Sequence, residues 1–169
     1  MAATLRHFAC GGCGSRRDGR RRIRGRSPVR PDSDRRTLNG GGCRCGAVRL
    51  TARGEPDAVV YCHCGDCRRS NGAPLSLFVG YEVGRIEMSR GTPKVYESAP
   101  GVRRSFCGDC GTSMFYEDER LPGKVYISIG VFDAPESFEP EAHSWFSQKL
   151  SWLDIRDDLP RHEASSHPR

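Results

Sequence analysis

The segment YCHCGDCRRSNG, residues 61–72, carries three cysteines within six positions. Cysteine thiolates are zinc ligands, and this spacing brings Cys62, Cys64 and Cys67 close enough to bind one metal ion from a single loop. A structural zinc ion takes four protein ligands, whereas a catalytic zinc ion usually takes three and keeps one position open. The segment therefore predicts a metal site and raises the question of whether another residue completes it.

Four further cysteines form two short pairs, Cys43 with Cys45 in CRC and Cys107 with Cys110 in CGDCG. A C-x-x-C turn followed by glycine is typical of a zinc knuckle, which aims two sulfurs at one metal ion and needs a second pair. The simplest partition gives the two outer pairs one closed four-thiolate site and the triplet a second site. The alternatives are seven unrelated thiols or a redox pair, and the ligand-like spacing of all three groups argues against them.

Four residues of the same loop are weaker candidates. His63 competes for the fourth position of the triplet, but a side chain between two ligands in C-x-C tends to point away from the metal they share. Arg68 and Arg69 follow the last cysteine and could bind a carboxylate of a peptide thiol. The alternative is that they are solvated charges beside an anionic cluster. Asp66 could orient a proton, or it could cap local backbone N–H groups.

Charge divides the chain into two parts. Residues 1–37 hold eleven arginines and three acidic residues, whereas residues 38–169 hold sixteen basic and eighteen acidic residues. The first part has few large apolar side chains, so we predict a disordered arm and expect nucleic-acid binding only through it. An organelle presequence or a gene model extended upstream would also explain this composition. Cys10 and Cys13 of the arm could form half of a zinc site, but no second pair is left to complete it.

The nine cysteines are odd in number and tightly spaced, which argues against a secreted disulfide framework. The sequence contains no apolar run of ~18 residues and nothing that resembles a signal peptide. We therefore expect a cytoplasmic protein without a membrane partner.

Alternation of apolar and polar residues predicts short strands after residue 38. They are AVRLT (47–51), AVVYC (58–62), LSLFVGY (75–81), RGTPKVYES (90–98), RRSFC (103–107) and KVYISIGVF (124–132). No stretch of ten residues shows a convincing apolar period of 3.6 residues. The pattern predicts one mainly β domain whose turns carry the cysteines.

Five motifs together resemble one known family. In order they are GGCRCGAVRL, YCHCGDCRRSNGAP, RRSFCGDCGTSMFY, VYISIGVFD and SWLDIRDDLPRHE, from Gly41 to Glu163. They are similar to the glutathione-dependent formaldehyde-activating (GFA) family, which also includes the centromere protein V domain. The resemblance implies a β-tent fold of small antiparallel sheets stapled by zinc over residues 38–165, after the arm of residues 1–37. It also implies two Zn²⁺ per chain.

The resemblance assigns a role to each cysteine group. The structural zinc ligands would be Cys43, Cys45, Cys107 and Cys110, and the catalytic zinc ligands would be Cys62, Cys64 and Cys67, with the fourth position open. The implied activity is that of a zinc-dependent carbon–sulfur lyase similar to S-(hydroxymethyl)glutathione synthase. Such an enzyme adds a thiol, such as glutathione, to a small aldehyde, such as formaldehyde, or cleaves the adduct. The alternative is a non-catalytic zinc module that acts as a thiol carrier or as a nucleic-acid or protein interaction domain.

Overall fold

The computed structural model describes residues 37–166, in which nearly all regular structure is β-strand. The predicted arm up to residue 36, with Cys10 and Cys13, lies outside the described residues. The strands are β1 Leu38–Gly42, β2 Arg49–Arg53, β3 Ala58–Cys62, β4 Ser76–Glu82, β5 Ile86–Arg90, β6 Lys94–Ala99, β7 Val102–Phe106, β8 Ser113–Asp118, β9 Lys124–Ser128 and β10 Ala142–Ser144. The helices are α1 Gly65–Asn71 and the 3-10 turns Val83–Arg85, Ile129–Val131, Pro135–Ser137 and Phe146–Gln148.

The strands form two sheets, and the predicted mainly β fold is confirmed. The larger sheet has the strand order β10-β3-β4-β9-β8-β7-β6, and the smaller one has the order β1-β2-β5. All neighbours pair antiparallel except β10, which lies parallel to β3 at the edge of the larger sheet. The antiparallel arrangement was expected, whereas the parallel edge strand is an addition that the sequence pattern did not predict.

The central strands β3, β4 and β9 bury side chains on both faces of the larger sheet. Successive side chains of a strand point to opposite faces, so neighbouring residues enter different cores. The first core includes Val59, Val79 and Ile127 with Cys43 and Cys107, and the second includes Val60, Phe78 and Tyr126 with Cys62 and Cys67. The two groups of cysteines are therefore built into different cores.

The smaller sheet covers the first core. Leu50 and Ala52 of β2 are fully buried there, and both belong to the same apolar cluster as Val79. Strand β1 approaches the chain near Phe132 through an isolated antiparallel bridge at Gly41. A Cβ atom on Gly41 would lie 2.7 Å from the carbonyl oxygen of Val131, so this approach requires glycine.

Strand β10 brings the C-terminal part of the chain to the triplet loop. His143 of β10 lies opposite Tyr61 of β3, and the N–H of His63 donates to the carbonyl oxygen of Ser144 over 3.0 Å. None of the helices in residues 37–166 has the length and apolar character that a membrane span requires.

Candidate metal centres and active site

The two outer cysteine pairs meet at one point in the structure. The sulfurs of Cys43, Cys45, Cys107 and Cys110 all lie within 4.8 Å of one another. The Sγ atoms of Cys43 and Cys45 are 3.4 Å apart, and those of Cys45 and Cys107 are 3.8 Å apart. The first pair follows β1, and the second lies in the turn between β7 and β8, so the cluster joins distant parts of the chain.

Each pair sits in a turn of the same design. Gly46 and Gly111 directly follow the second cysteine of their pairs, with φ of 76° and 75°. Each glycine N–H donates to the carbonyl of the first cysteine, over 3.0 Å to Cys43 and 2.9 Å to Cys107. Only glycine adopts this left-handed conformation freely, so both turns depend on it to direct two sulfurs to one side.

Hydrogen bonds favour the thiolate form of Cys43 and Cys110 in this cluster, whereas against a backbone hydrogen bond from Ala47 the Cys43 sulfur raises the pKa of Cys45. The N–H of Val48 donates to the Cys43 sulfur over 3.3 Å, and the Thr112 hydroxyl lies 3.2 Å from the Cys110 sulfur. Hydrogen bonds from the side chain and backbone of Thr112 lower the pKa of Cys110 to about 5. A deprotonated sulfur is the form that binds a metal ion.

The triplet occupies the junction of β3 and α1. Cys62 ends β3, Cys64 is the N-cap of α1, and Cys67 lies in the first turn of the helix. The backbone N–H of Cys67 donates to the Cys64 sulfur over 3.2 Å, which closes the cap. The three sulfurs lie within 4.8 Å of one another, and hydrogen bonds from the Cys62 and Cys67 thiols are the main cause of the lowered pKa of Cys64.

Both groups fit a tetrahedral zinc ion in size and donor type. Zinc–sulfur bonds of about 2.3 Å in a tetrahedron place sulfurs about 3.8 Å apart. The outer group has separations of 3.4 and 3.8 Å, and the triplet sulfurs lie within 4.8 Å of one another. The seven cysteines of the two groups are free thiols without disulfide bonds. Each group could therefore bind a metal ion, one with four sulfur ligands and the other with three.

His63 faces away from the sulfur cluster and into a buried hydrogen-bonded chain. Its Nε2 lies 2.8 Å from Nδ1 of His143, and Nε2 of His143 lies 3.0 Å from a carboxylate oxygen of Asp157. Both imidazoles are fully buried. No nitrogen of His63 belongs to the metal-capable groups found among the described residues. No local motif indicates this role of His143, because the contact joins residues that are 80 positions apart.

A carboxylate ends this buried chain. Asp157 accepts a hydrogen bond from Nε2–H of His143, and Nδ1 of His143 faces Nε2 of His63. Nδ1 of His63 has no hydrogen-bond partner in residues 37–166. Burial, followed by repulsion from His143, lowers the pKa of His63 to about 4, so its ring is neutral at physiological pH.

Arg68 and Arg69, the predicted substrate contacts, have other partners in the structure. The guanidinium of Arg68 donates to the carbonyl oxygens of His63 and Gln148, the latter over 2.7 Å. Arg69 donates to the Gly65 carbonyl over 3.4 Å. Neither arginine lines the cavity beside the triplet. Their assignment to substrate stays a prediction, and Arg68 is already engaged in holding the loop to the C-terminal part of the chain.

A cavity of about 630 Å³ opens onto the triplet. Its wall includes all three triplet cysteines and none of the four outer ones. Apolar and aromatic side chains from the larger sheet, the loop after β8 and the C-terminal region form much of the remaining wall: Val60, Phe78, Val102, Tyr116, Leu121, Tyr126 and Trp145. Its size is that of a pocket for a small organic ligand.

Trp145 reaches this wall from an unusual backbone conformation. Its φ of 57° makes it the one non-glycine residue with positive φ in the described part of the chain. Its N–H donates to the carbonyl of Ala164 over 2.7 Å, which ties the strained residue to the C-terminal segment. Strain of this kind persists only where the surrounding contacts enforce it, and such residues concentrate at functional sites.

Arg104 places a buried positive charge at the same wall. Only 3% of its surface is exposed, and its guanidinium lies 4.9 Å from the centre of the Tyr116 ring. Nη2 donates to Asp66 over 2.5 Å and lies 3.6 Å from the Cys67 sulfur. The strand RRSFC was predicted, but alternation along it did not show which arginine points inward.

A second charged group borders the cavity on β8. The Tyr116 hydroxyl donates to Asp118 over 2.7 Å, and Arg120 donates to both carboxylate oxygens of Asp118. The Arg120 guanidinium is the main cause of a lowered pKa of Asp118, at about 2. Burial raises the pKa of Tyr116, so its hydroxyl keeps its proton at neutral pH.

The fold and site thus define a mainly β protein with two cysteine groups that could bind metal ions, one of them beside a cavity. A profile of the glutathione-dependent formaldehyde-activating enzyme family matches residues 38–148, and the chain belongs to this family. The resemblance drawn from the motifs is confirmed.

Two individual proteins are also similar to this chain. A protein of Schizosaccharomyces pombe named as an uncharacterized lyase is 26% identical over 115 residues, which cover 68% of this chain and 83% of that protein. A crystal structure of a Rhodobacter sphaeroides protein has a TM-score of 0.48 at 18% identity, and the match covers 73% of this chain and 99% of that one.

Proposed function

We propose that this protein is a zinc-dependent carbon–sulfur lyase. It would add the thiol of a molecule such as glutathione to a small aldehyde such as formaldehyde, or cleave the product. In the forward direction the sulfur bonds to the carbonyl carbon, and the thiol hydrogen ends on the former carbonyl oxygen. Membership of the family and the lyase name of the S. pombe relative support a lyase at the family level.

One observation carries the proposal: the cavity beside the cysteines touches only the group with three sulfurs. A set of three ligands leaves one position for a substrate, whereas a set of four closes the site. We therefore assign Cys62, Cys64 and Cys67 to the catalytic zinc and the four outer cysteines to the structural zinc. When bound at the triplet, zinc would supply positive charge that favours the thiolate form of a substrate thiol.

The chain's own residues would prepare this site. The cap of α1 positions the Cys64 sulfur against the Cys67 N–H, while the contact with His143 holds His63. The apolar part of the wall, with Trp145, would contact the substrate beside the reacting carbon. The buried Arg104 offsets the negative charge of the thiolates, since it lies against the Cys67 sulfur.

The domain boundaries and the location follow from the same proposal. Residues 38–165 would form the zinc-binding β domain, and residues 1–37 would form an arm that contributes no ligand. Free thiols in both groups need a reducing compartment, which supports the cytoplasm as the site of action. Binding of nucleic acid, if it occurs, would depend on the arginines of the arm.

Removal of one triplet ligand tests the function. We expect Cys64→Ser to lower the zinc content of the reduced protein from two equivalents to about one, since serine is a poor zinc ligand. The variant should stay folded and lose thiol-dependent turnover of formaldehyde. Metal content, circular dichroism and product formation are measured on the same sample.

The matched control is Cys45→Ser, which changes the exposed member of the outer group. It should lower the stability and the zinc content without removing the triplet zinc. A Cys64→Ser variant with full activity would contradict the catalytic assignment and favour a thiol carrier or an interaction module. Unfolding of that variant would instead show that the triplet is structural.

A further inference from the structure

Arg104 and Asp66 form an ion pair in which the two partners differ greatly in exposure. The Arg104 side chain is 4% exposed, whereas the Asp66 side chain is 67% exposed. The two residues lie on the cavity wall next to Cys67. A surface ion pair usually leaves both groups in water, so a buried guanidinium held by a nearly free carboxylate is a specific arrangement.

Water cannot replace Asp66 as the partner of Arg104 without cost. A buried guanidinium needs a counter-charge, and removal of its partner leaves an uncompensated charge in the interior. Asp66 in turn is bound through a single oxygen and belongs to the first turn of a short helix, with most of its side chain in solvent. Its carboxylate can rotate out of the cavity when another carboxylate takes its place.

The guanidinium also has capacity for a ligand. Nε donates to the Ser98 hydroxyl over 3.3 Å, and Nη2 serves Asp66 and the Cys67 sulfur. Nη1 has no hydrogen bond within residues 37–166. A planar guanidinium binds a carboxylate best through two parallel N–H groups, and Arg104 uses only one of them for Asp66. A ligand carboxylate could therefore make a contact that Asp66 does not make.

The neighbouring arginine shows what an ordinary pair on this strand looks like. Arg103 points to the other face of β7, is 61% exposed and pairs with Glu117 on β8 over 2.8 Å. Neither Arg103 nor Glu117 lines the cavity. The strand thus provides a matched comparison of two adjacent arginine–carboxylate pairs, one at the candidate site and one in solvent.

We propose that Arg104 binds a carboxylate of the thiol substrate and that Asp66 holds this position as an internal substitute until the substrate displaces it. The substrate class is a thiol that carries a carboxylate, rather than a simple alkyl thiol. This inference rests on the proposed function, because it takes the triplet as the place where the thiol binds. It assigns to Arg104 the role that the sequence suggested for Arg68 and Arg69.

A comparison of binding by an acid and by its ester tests the proposal. The probes are reduced glutathione and glutathione dimethyl ester, in which both carboxylates are capped and the thiol is intact. Each is titrated calorimetrically into the zinc-loaded, full-length protein without aldehyde. A charge-assisted contact predicts that the wild type binds the acid about tenfold to hundredfold more tightly than the ester.

Two variants separate the proposed role from charge neutralisation of the triplet. Arg104→Gln should bring the acid-to-ester preference close to one. Only the acid pairs a carboxylate with the guanidinium, so removal of the guanidinium weakens binding of the acid and leaves binding of the ester unchanged. Asp66→Asn should raise the preference severalfold, because the internal competitor is weakened. Arg103→Gln and Glu117→Gln, the matched controls, should keep the preference of the wild type. Zinc content is measured for every variant.

Several results would overturn the proposal. The first is equal binding of acid and ester by the wild type, and the second is an acid-to-ester preference that stays unchanged in Arg104→Gln. The third is an unchanged preference in Asp66→Asn, which decides the matter even if Arg104→Gln does not fold. If Arg104→Gln weakens binding of both probes equally, Arg104 serves only to neutralise the negative charge of the triplet thiolates. Turnover of thiol and formaldehyde is assayed in parallel. Turnover without a preference for the acid refutes only the proposed role of Arg104 and not the lyase function. A preference for the acid without turnover refutes the lyase function but still supports a carboxylate-binding site at Arg104.

Discussion

His63 and His143 lie edge to edge in the interior, with ring centroids 5.1 Å apart and an angle of 19° between the rings. Their 2.8 Å contact joins the loop of the triplet to strand β10, and Asp157 extends it to the C-terminal part of the chain. The triplet loop is thus joined to β10 and to the C-terminal part of the chain by a series of buried hydrogen bonds.

Loss of this chain should loosen the triplet. We expect His143→Phe to leave Nε2 of His63 without a partner and to lower the free energy of unfolding by about 1–3 kcal/mol. Release of the triplet metal to a chelator should become faster, which the charge-transfer band of the cobalt-substituted protein would report. His162→Phe, at an exposed histidine, is the control. An unchanged release rate in His143→Phe would show that the chain serves stability alone.

The outer cysteine group should control stability. Cys107 is 1% exposed in the first core, and its sulfur belongs to the cluster that joins the end of β1 to the β7–β8 turn. We expect Cys107→Ser to lose one zinc equivalent and several kcal/mol of stability, because metal binding contributes folding free energy directly. Thermal unfolding and metal analysis provide the measurement. Cys10→Ser is the control and should unfold at the same temperature as the wild type. If Cys107→Ser also unfolds at that temperature, the assignment of the four outer ligands is wrong.

Tyr81 should make the protein less stable at high pH. Its side chain is fully buried, its hydroxyl accepts a hydrogen bond from Asn39 over 3.1 Å, and burial raises the pKa of Tyr81 to about 12. The unfolded chain ionises this group near pH 10, so its contribution is constant below pH 10 and is lost between pH 10 and 12. Tyr81→Phe should therefore lose less stability than the wild type between pH 9 and 11.

Denaturant unfolding at the two pH values measures this difference. Tyr96→Phe, at an exposed tyrosine, is the control and should follow the wild type. Identical pH dependence of Tyr81→Phe and the wild type would mean that Tyr81 does not couple to folding in this range.

The arginine-rich arm should be dispensable for the β domain. A chain that begins at Thr37 keeps the hydrogen bond from Gly54 N–H to the Thr37 carbonyl. We expect it to retain both zinc ions and to lose any salt-dependent binding of DNA, since such binding depends on contacts between arginine and phosphate. Fluorescence anisotropy with a labelled duplex at several salt concentrations measures this. Equal affinity of the full and shortened chains would place a nucleic-acid site on the domain itself.

The sequence predicted those parts of the fold that local patterns specify. The run 58–62 corresponds to β3, because β-branched residues and a following cysteine turn define both of its ends. The predicted strand 124–132 was too long, since β9 ends at Ser128 and a 3-10 turn follows. Val131 is still 2% exposed, so the turn keeps the alternating pattern buried after the strand has ended. Helix α1 has seven residues, too few for a helical period to appear.

The site was predictable where its residues belong to short motifs of ligand-like spacing. The spacing of the cysteines indicated both metal-capable groups before the structure brought their sulfurs together. Arg104 and His143 were missed because their contacts to Asp66 and His63 span 38 and 80 positions. Pairing between distant strands determines such contacts, and a single sequence carries no local signal for it.

Because β3, β4 and β9 divide their side chains between two cores, the protein offers two nearly separate surfaces for redesign. Val60 and Phe78 shape the wall of the cavity, while Val59 and Val79, one position away along the same strands, pack with the outer cysteines. A substitution at Val60 or Phe78 therefore changes the cavity without touching the packing around the outer cysteines. The shape of the cavity and the surroundings of the outer cysteine group can be altered separately on the two faces of one sheet.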